Sequence, residues 1–292
     1  MSFRKLFRLS HPLQLVLASM TYLLGAGIAR YLGRAIHPAG FGLGWLAALA
    51  LLATAYWLTE YFRLPMTPLD KNETPRNREA FRTALLQSSF AALTVVAAVA
   101  VTLILTHLLP GSAALVIFLI VLAFVLFAVP PFRLSESGYG ELALAVTLGT
   151  LYPAWGFLLQ YHDFHRLLPF VSFPLTLLAL AYFLVCDFPA FGQDQKFGRQ
   201  SLLTRLTWQY AVPVHHVLVL TAFVLFAVSP SLGYPWRLAW PVFLAAPFAL
   251  AQIIWLQRIA GGGRTLWNLF TGLAAASFGL TVYLLAFTFW TH

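Results

Sequence analysis

Long apolar runs, cut at short intervals by polar or turn-forming residues, dominate this chain. Nine of them approach or exceed membrane-spanning length, at roughly 12–33, 41–60, 83–109, 113–129, 140–161, 167–187, 211–229, 237–257 and 265–290. A helix that crosses the hydrocarbon core needs about 20 mostly apolar residues. The runs are continuous, whereas a membrane β-barrel shows alternating segments of about ten residues, so the pattern predicts helices. Breakers separate several of them: Pro110-Gly111, Pro130-Pro131, Pro230 and Gly261-Gly262-Gly263. The expected architecture is an all-α integral membrane bundle of about nine transmembrane helices, with 1–292 forming one transmembrane domain. Arg4, Lys5 and Arg8 precede the first run. No small-residue cleavage site ends that run, so it reads as a retained helix behind a basic leader.

Composition makes lipid the solvent for most of the chain. Apolar and aromatic residues make up 60% and charged residues only 9%, against about 25% charged in a soluble domain. A single cysteine, Cys186, excludes an internal disulfide framework. Basic residues give the orientation. If the N-terminus and every second loop share one side, only Arg30, Arg34, Arg166 and Arg237 of the 18 Lys and Arg residues fall on the other. The positive-inside rule then puts the N-terminus in the cytoplasm and the C-terminus outside, in a multi-pass protein of the cell membrane. The net charge of +9 follows from that topology and from attraction to anionic headgroups. The cations are spread over several short loops, and no nucleic-acid partner is expected.

The nine acidic residues avoid the middle of every run, which argues against a charged proton relay at the bilayer centre. Glu60 and Asp187 sit at the cytoplasmic ends of the second and sixth runs, each followed by a polar loop, about 61–82 and 188–210. Chemistry is therefore expected at the cytoplasmic mouth, with the two loops capping a cavity. Asp70, Lys71, Glu73, Arg76, Arg78 and Glu79 also suit a plain solvated loop. A haem protein is the less favoured alternative, because adjacent His215 and His216 point about 100° apart on a helix and cannot share one ligand face. A transporter would call for broken helices with polar groups at the midplane, and it is less favoured because the few Gly, Ser and Thr within the runs more often serve helix packing.

Four blocks carry a family resemblance: Leu23-Leu24-Gly25-Ala26-Gly27, Glu60-Tyr61-Phe62, Pro130-Pro131-Phe132-Arg133-Leu134 with Gly138, Gly140 and Glu141, and Asp187-Phe188-Pro189 leading to Asp194, Gly198, Arg199 and Leu202. In this order on nine helices the chain resembles the UbiA superfamily of membrane prenyltransferases, especially the menaquinone-pathway 1,4-dihydroxy-2-naphthoate branch. The resemblance implies a UbiA-like bundle that transfers an isoprenoid chain from a prenyl diphosphate to an aromatic or quinone-like acceptor, as in quinone biosynthesis, with the membrane lipid as surroundings. In that family aspartates on the two loops hold Mg²⁺ against the diphosphate. Magnesium suits carboxylate and phosphate oxygens and stabilises the charge that develops on them.

The family's aspartate motifs are degenerate here. Its N-x-x-x-D-x-x-x-D loop aligns on Thr59, Arg63 and Thr67, and its D-x-x-x-D loop on Ala190 and Asp194. The following Lys of the family is matched by Arg199. If the enzyme is active, Asp194, Asp187 and Glu60 are the expected Mg²⁺ ligands, and Arg199, Arg63, Lys196 and Arg133 the expected diphosphate contacts. A guanidinium fork can grip phosphate oxygens without a metal. The alternative is a catalytically inactive relative of the same fold that binds prenyl lipid or quinone, or serves as a subunit of a membrane complex.

Overall fold

A computed structural model describes residues 3–62 and 75–292. Arg63, Thr67, Asp70, Lys71 and Glu73, and with them most of the expected loop 61–82, lie outside the described residues. Among the described residues nine helices are long and apolar enough to cross a membrane. The protein is a multi-pass integral membrane protein, as the hydrophobic pattern predicts.

The helices are α1 (Pro12–Tyr31), α2 (Pro38–Phe62), α3 (Pro75–Leu105), α4 (Gly111–Ala128) and α5 (Gly140–Tyr161), then α6 (Leu167–Asp187), α7 (Leu202–Val228), α8 (Trp236–Ala260) and α9 (Trp267–Thr291). Proline opens α1, α2 and α3, where its missing N–H costs nothing and its fixed φ favours the first turn. The basic leader forms a short helix, Phe3–Leu9. The expected loop 188–210 is mostly helical. A 3₁₀ turn over Phe188–Ala190 leads into a helix at Phe191–Phe197, and α7 already begins at Leu202. Ser201 caps α7 reciprocally with Thr204, and the helix is interrupted at Thr207, whose φ is 60°.

The core lies between α1, α5, α6 and α9, with α2 behind them. Small residues let α1 and α5 approach closely: Gly25 lies against the Pro153 carbonyl, and Gly156 against the Tyr22 carbonyl. Three polar groups inside are tied across helices. Tyr152 Oη donates to the Ala48 carbonyl at 2.6 Å, Trp155 Nε1 to the Gly44 carbonyl at 2.9 Å, and Tyr22 Oη to the Phe41 carbonyl at 2.8 Å. Midway along α5 a π-helical turn over Thr147–Leu151 places Thr150 Oγ1 2.7 Å from Thr176 Oγ1 of α6. Tyr152→Phe is expected to lower stability by about 1 kcal/mol, the net worth of one buried hydrogen bond. Thermal unfolding in detergent would show this as a small fall in Tm.

Candidate functional site

One mouth of the bundle gathers a group of ionisable side chains that includes Glu141, Asp187, Asp194 and Arg199. Four structural events place them there. Asp187 is the last residue of α6, and Glu141 lies in the first turn of α5. The short helix Phe191–Phe197 turns Asp194 inward, leaving it only 6% exposed. That helix stops at Gly198, whose φ of +67° a glycine adopts freely. The chain then doubles back. The Arg199 N–H bonds the Asp194 carbonyl at 2.9 Å, and its guanidinium stands 3.8 Å from Asp194 Oδ1.

Glu141 and Asp187 face each other at hydrogen-bonding range, with Arg199 and Asp194 near enough to act on Asp187 electrostatically. Glu141 is only 7% exposed. Its Oε2 and Oδ2 of Asp187 are buried and receive no donor. Two facing carboxylates with unmatched oxygens require either a shared proton or a cation. His11 closes the mouth from the start of α1. Its ring lies 4.5 Å from that of Tyr56 and within electrostatic reach of both Glu60 and Arg199. His11 is an exposed residue whose ring packs on one side against Tyr56. Loss of hydration pushes its pKa down, Glu60 opposes that shift, and Arg199 adds to it.

A second wall comes from the loop before α5. Ser137 pairs with Gln200 as an isolated bridge. The Arg205 methylenes fill the space above Gly138, and its guanidinium lies 4.2 Å over the Tyr139 ring. Over the segment 194–205 opens a cavity of about 390 Å³, lined by Asp194, Arg199, Gln200, Thr204 and Arg205 among others. On the membrane side an aromatic cluster adjoins the site. Phe188 meets Trp208 at 4.7 Å and Phe270 at 5.9 Å, and Phe191 meets Trp208 at 5.9 Å.

The expected residues divide in three. Asp187, Asp194 and Arg199 converge. Glu60 joins the group through His11, and it has partners of its own. Arg133 is engaged elsewhere: it donates to the Phe62 carbonyl at 2.5 Å and pairs with Glu136 at 2.7 Å, bracing the end of α2. Lys196 is exposed, with its ammonium 5.8 Å from the Phe197 ring. Arg63 lies outside the described residues. Among the described residues no three His, Cys, Asp or Glu side chains come together as a metal-binding group. The expected trio of Asp194, Asp187 and Glu60 is therefore not assembled as one. Thr59, at the family's Asn position, turns its hydroxyl onto the Ala55 carbonyl at 2.8 Å.

Sequence reasoning named Glu141 only within the resemblance block and counted Arg205 only toward topology. Both are brought to the site by packing between distant segments, and only the resemblance block ending in Glu141 hinted at it. His215 is fully buried in α7, 6.2 Å from the Phe270 ring, and His216 sits beside it.

No protein-family model matches the sequence, and no curated protein matches it. Solved structures do. A UbiA homologue from Archaeoglobus fulgidus bound to GPP and Mg²⁺ superposes with a TM-score of 0.65 at 14% identity, covering 99% of this chain and 100% of that one. A structure of digeranylgeranylglyceryl phosphate synthase gives 0.61 at 13% identity, covering 99% and 97%. The apo UbiA homologue from Aeropyrum pernix K1 gives 0.58 at 17% identity, covering 92% and 96%. The chain has the fold of these proteins over essentially its whole length.

Proposed function

We propose that this chain, which has the UbiA fold, is a membrane prenyltransferase that moves an isoprenoid chain from a prenyl diphosphate to an aromatic, quinone-type acceptor. The observation that carries this reading is the cavity in which Arg199 and Arg205 stand beside Asp194, adjoining the Glu141–Asp187 pair at the end of an apolar bundle. The fold neighbour solved with GPP and Mg²⁺ supports it, and so does the resemblance of the block through Gly140 and Glu141 to the menaquinone-pathway branch.

In the reaction the allylic C–O bond breaks and its electron pair leaves with the diphosphate. A carbon of the electron-rich acceptor ring then bonds the prenyl cation, and the ring loses a proton. The leaving group gains charge as the bond breaks, so fixed cations at the cavity lower the barrier. Arg199 and Arg205 supply two guanidinium forks that match phosphate oxygens, and Arg63 is proposed as a third contact. The aromatic side chains around Phe188 and Trp208 line the apolar side, where ring faces stabilise a passing cation.

The residues present also fit a magnesium ion. Mg²⁺ commonly takes one or two carboxylates and completes its shell with water and substrate phosphate, and the donor-free oxygens of Glu141 and Asp187 form such a pair. Bound there, the ion would neutralise charge on the departing diphosphate.

A second reading has its own observation. Thr59 is folded onto its own helix, and Ala190 offers no ligand where the family carries acidic or amide groups. On that reading the protein is a prenyl-lipid or quinone-binding relative without turnover, or a subunit of a membrane complex. Calorimetry with a non-hydrolysable prenyl diphosphate, in Mg²⁺ and in EDTA, followed by an acceptor screen, separates the two. Mg²⁺-dependent binding with turnover supports the transferase, and absence of binding in both conditions overturns it. Glu141→Gln/Asp187→Asn is expected to remove the Mg²⁺-assisted part of the affinity, a loss of at least about tenfold or roughly 1.4 kcal/mol. An unchanged response to EDTA in that variant would exclude the pair as the metal seat.

A further inference from the structure

We infer that the opposite end of α1 carries a second, independent binding site, a pocket for a phosphate group built from Arg30 and Arg34 and suited to the headgroup of an anionic lipid. The pocket is a cavity of about 440 Å³ at the ends of α1 and α9, lined by Arg30, Gly33, Arg34, Trp290, Thr291 and His292 among others. α1 has 20 residues, which sets this cavity about 30 Å from the His11 mouth.

The local sequence explains why two arginines meet. Gly33, at φ +83°, ends α1 in the left-handed conformation. Its N–H bonds the Arg30 carbonyl at 2.9 Å, and the Arg34 N–H bonds the Ala29 carbonyl at 3.1 Å. That pair of bonds is a Schellman closure. It satisfies the last carbonyls of the helix and folds Arg34 back beside Arg30. Each guanidinium then rests on a ring, Arg30 on Trp290 at 5.4 Å and Arg34 on Tyr161 at 5.3 Å. The rings are fixed in turn. Trp290 Nε1 donates to the Leu23 carbonyl at 3.0 Å, and Tyr161 stacks on Phe157 at 4.9 Å.

Both arms are therefore ordered before any ligand arrives, which removes part of the entropy cost of binding. A ring engages the face of a guanidinium and leaves the N–H edge available. Among the described residues neither arginine pairs with a carboxylate. The helix C-termini at this cavity carry about half a negative charge each, and two full positive charges outweigh them. A phosphate is the ligand that matches two N–H forks, and the ends of two membrane-spanning helices lie at headgroup depth. These arginines are also half of the four cations that the sequence places on this poorly charged side.

The test uses the whole protein in phosphatidylcholine bicelles. It is titrated with phosphatidylglycerol in one arm and with inorganic phosphate in the other, and retained molecules are counted by native mass spectrometry. The wild type is expected to retain phosphatidylglycerol in preference to phosphatidylcholine. Arg30→Gln/Arg34→Gln should weaken that preference about tenfold or more, as expected for two lost charged forks, while Arg237→Gln leaves it unchanged. Arg34→Gln lies beyond the helix and serves as the milder variant if the double change disturbs folding; it should lose several-fold. Retention of inorganic phosphate, lost in the same variants, would assign the pocket to a free anion. No preference in the wild type for either phosphate source, or a preference that Arg34→Gln leaves intact, would overturn the inference.

Discussion

Arg199→Gln is expected to weaken binding of a non-hydrolysable prenyl diphosphate by about a hundredfold or more. A hydrogen bond to a charged group contributes roughly 1.5–3 kcal/mol, and a two-pronged guanidinium contact makes two of them. Every 1.4 kcal/mol is about tenfold in affinity. Arg199 occupies the one position where the cavity, Asp194, Asp187 and His11 all meet. Removing it also takes away the guanidinium that stands 3.8 Å from Asp194 Oδ1. Arg199→Lys keeps the charge and loses the fork, and should fall between. Arg133→Gln is the control. That side chain is held by the Phe62 carbonyl and Glu136, so its loss should reduce stability while affinity stays within about threefold. Calorimetry on the three variants decides the matter. Equal affinity of Arg199→Gln and the wild type would remove Arg199 from the diphosphate site.

The hydrophobic pattern was sufficient for the bundle because each span is a local feature. A run of the length of 237–257 must satisfy its backbone internally in lipid, and the span found there, Trp236–Ala260, is helical with a 3₁₀ stretch at Trp240–Ala245. Loop 188–210 was misread for the converse reason. Gly192, Gln193, Asp194, Gln195 and Lys196 are too polar to register as a span, yet they form a helix that caps the bundle. The Ser201–Thr204 cap at the start of α7 was visible in principle, but Thr at that position is a weaker signal than Glu or Gln. The site itself was half legible. Asp187, Asp194 and Arg199 lie close together in sequence and could be read together. Glu141 is 46 residues from Asp187, and only the packing of α5 against α6 makes them neighbours. Arg133 was indistinguishable from a ligand group until its partners at Phe62 and Glu136 were seen.

The largest effect on stability is expected at the α1–α5 contact. A Cβ placed on Gly25 would stand inside the Pro153 carbonyl oxygen, and one on Gly156 inside the Tyr22 carbonyl oxygen. Both obstacles are backbone, so no rotamer change can relieve them, and the helices must separate. Gly156→Ala should therefore cost about 3 kcal/mol or more, at the upper end of overpacking, although alanine is the better helix former by about 1 kcal/mol. Gly272→Ala isolates that propensity term. Gly272 lies in α9 with nothing within 4 Å of its would-be Cβ, so the substitution should be neutral or slightly stabilising. Gly25→Ala/Gly156→Ala should cost less than the sum of the single changes, because either one already opens the shared interface. α5 also carries Glu141, and a shift of that helix would part Glu141 from Asp187. Gly156→Ala is thus expected to lower both the apparent Tm and the Mg²⁺-assisted diphosphate affinity, while Gly272→Ala changes neither. A Gly156→Ala protein with wild-type Tm would mean that α1 and α5 do not touch along this seam.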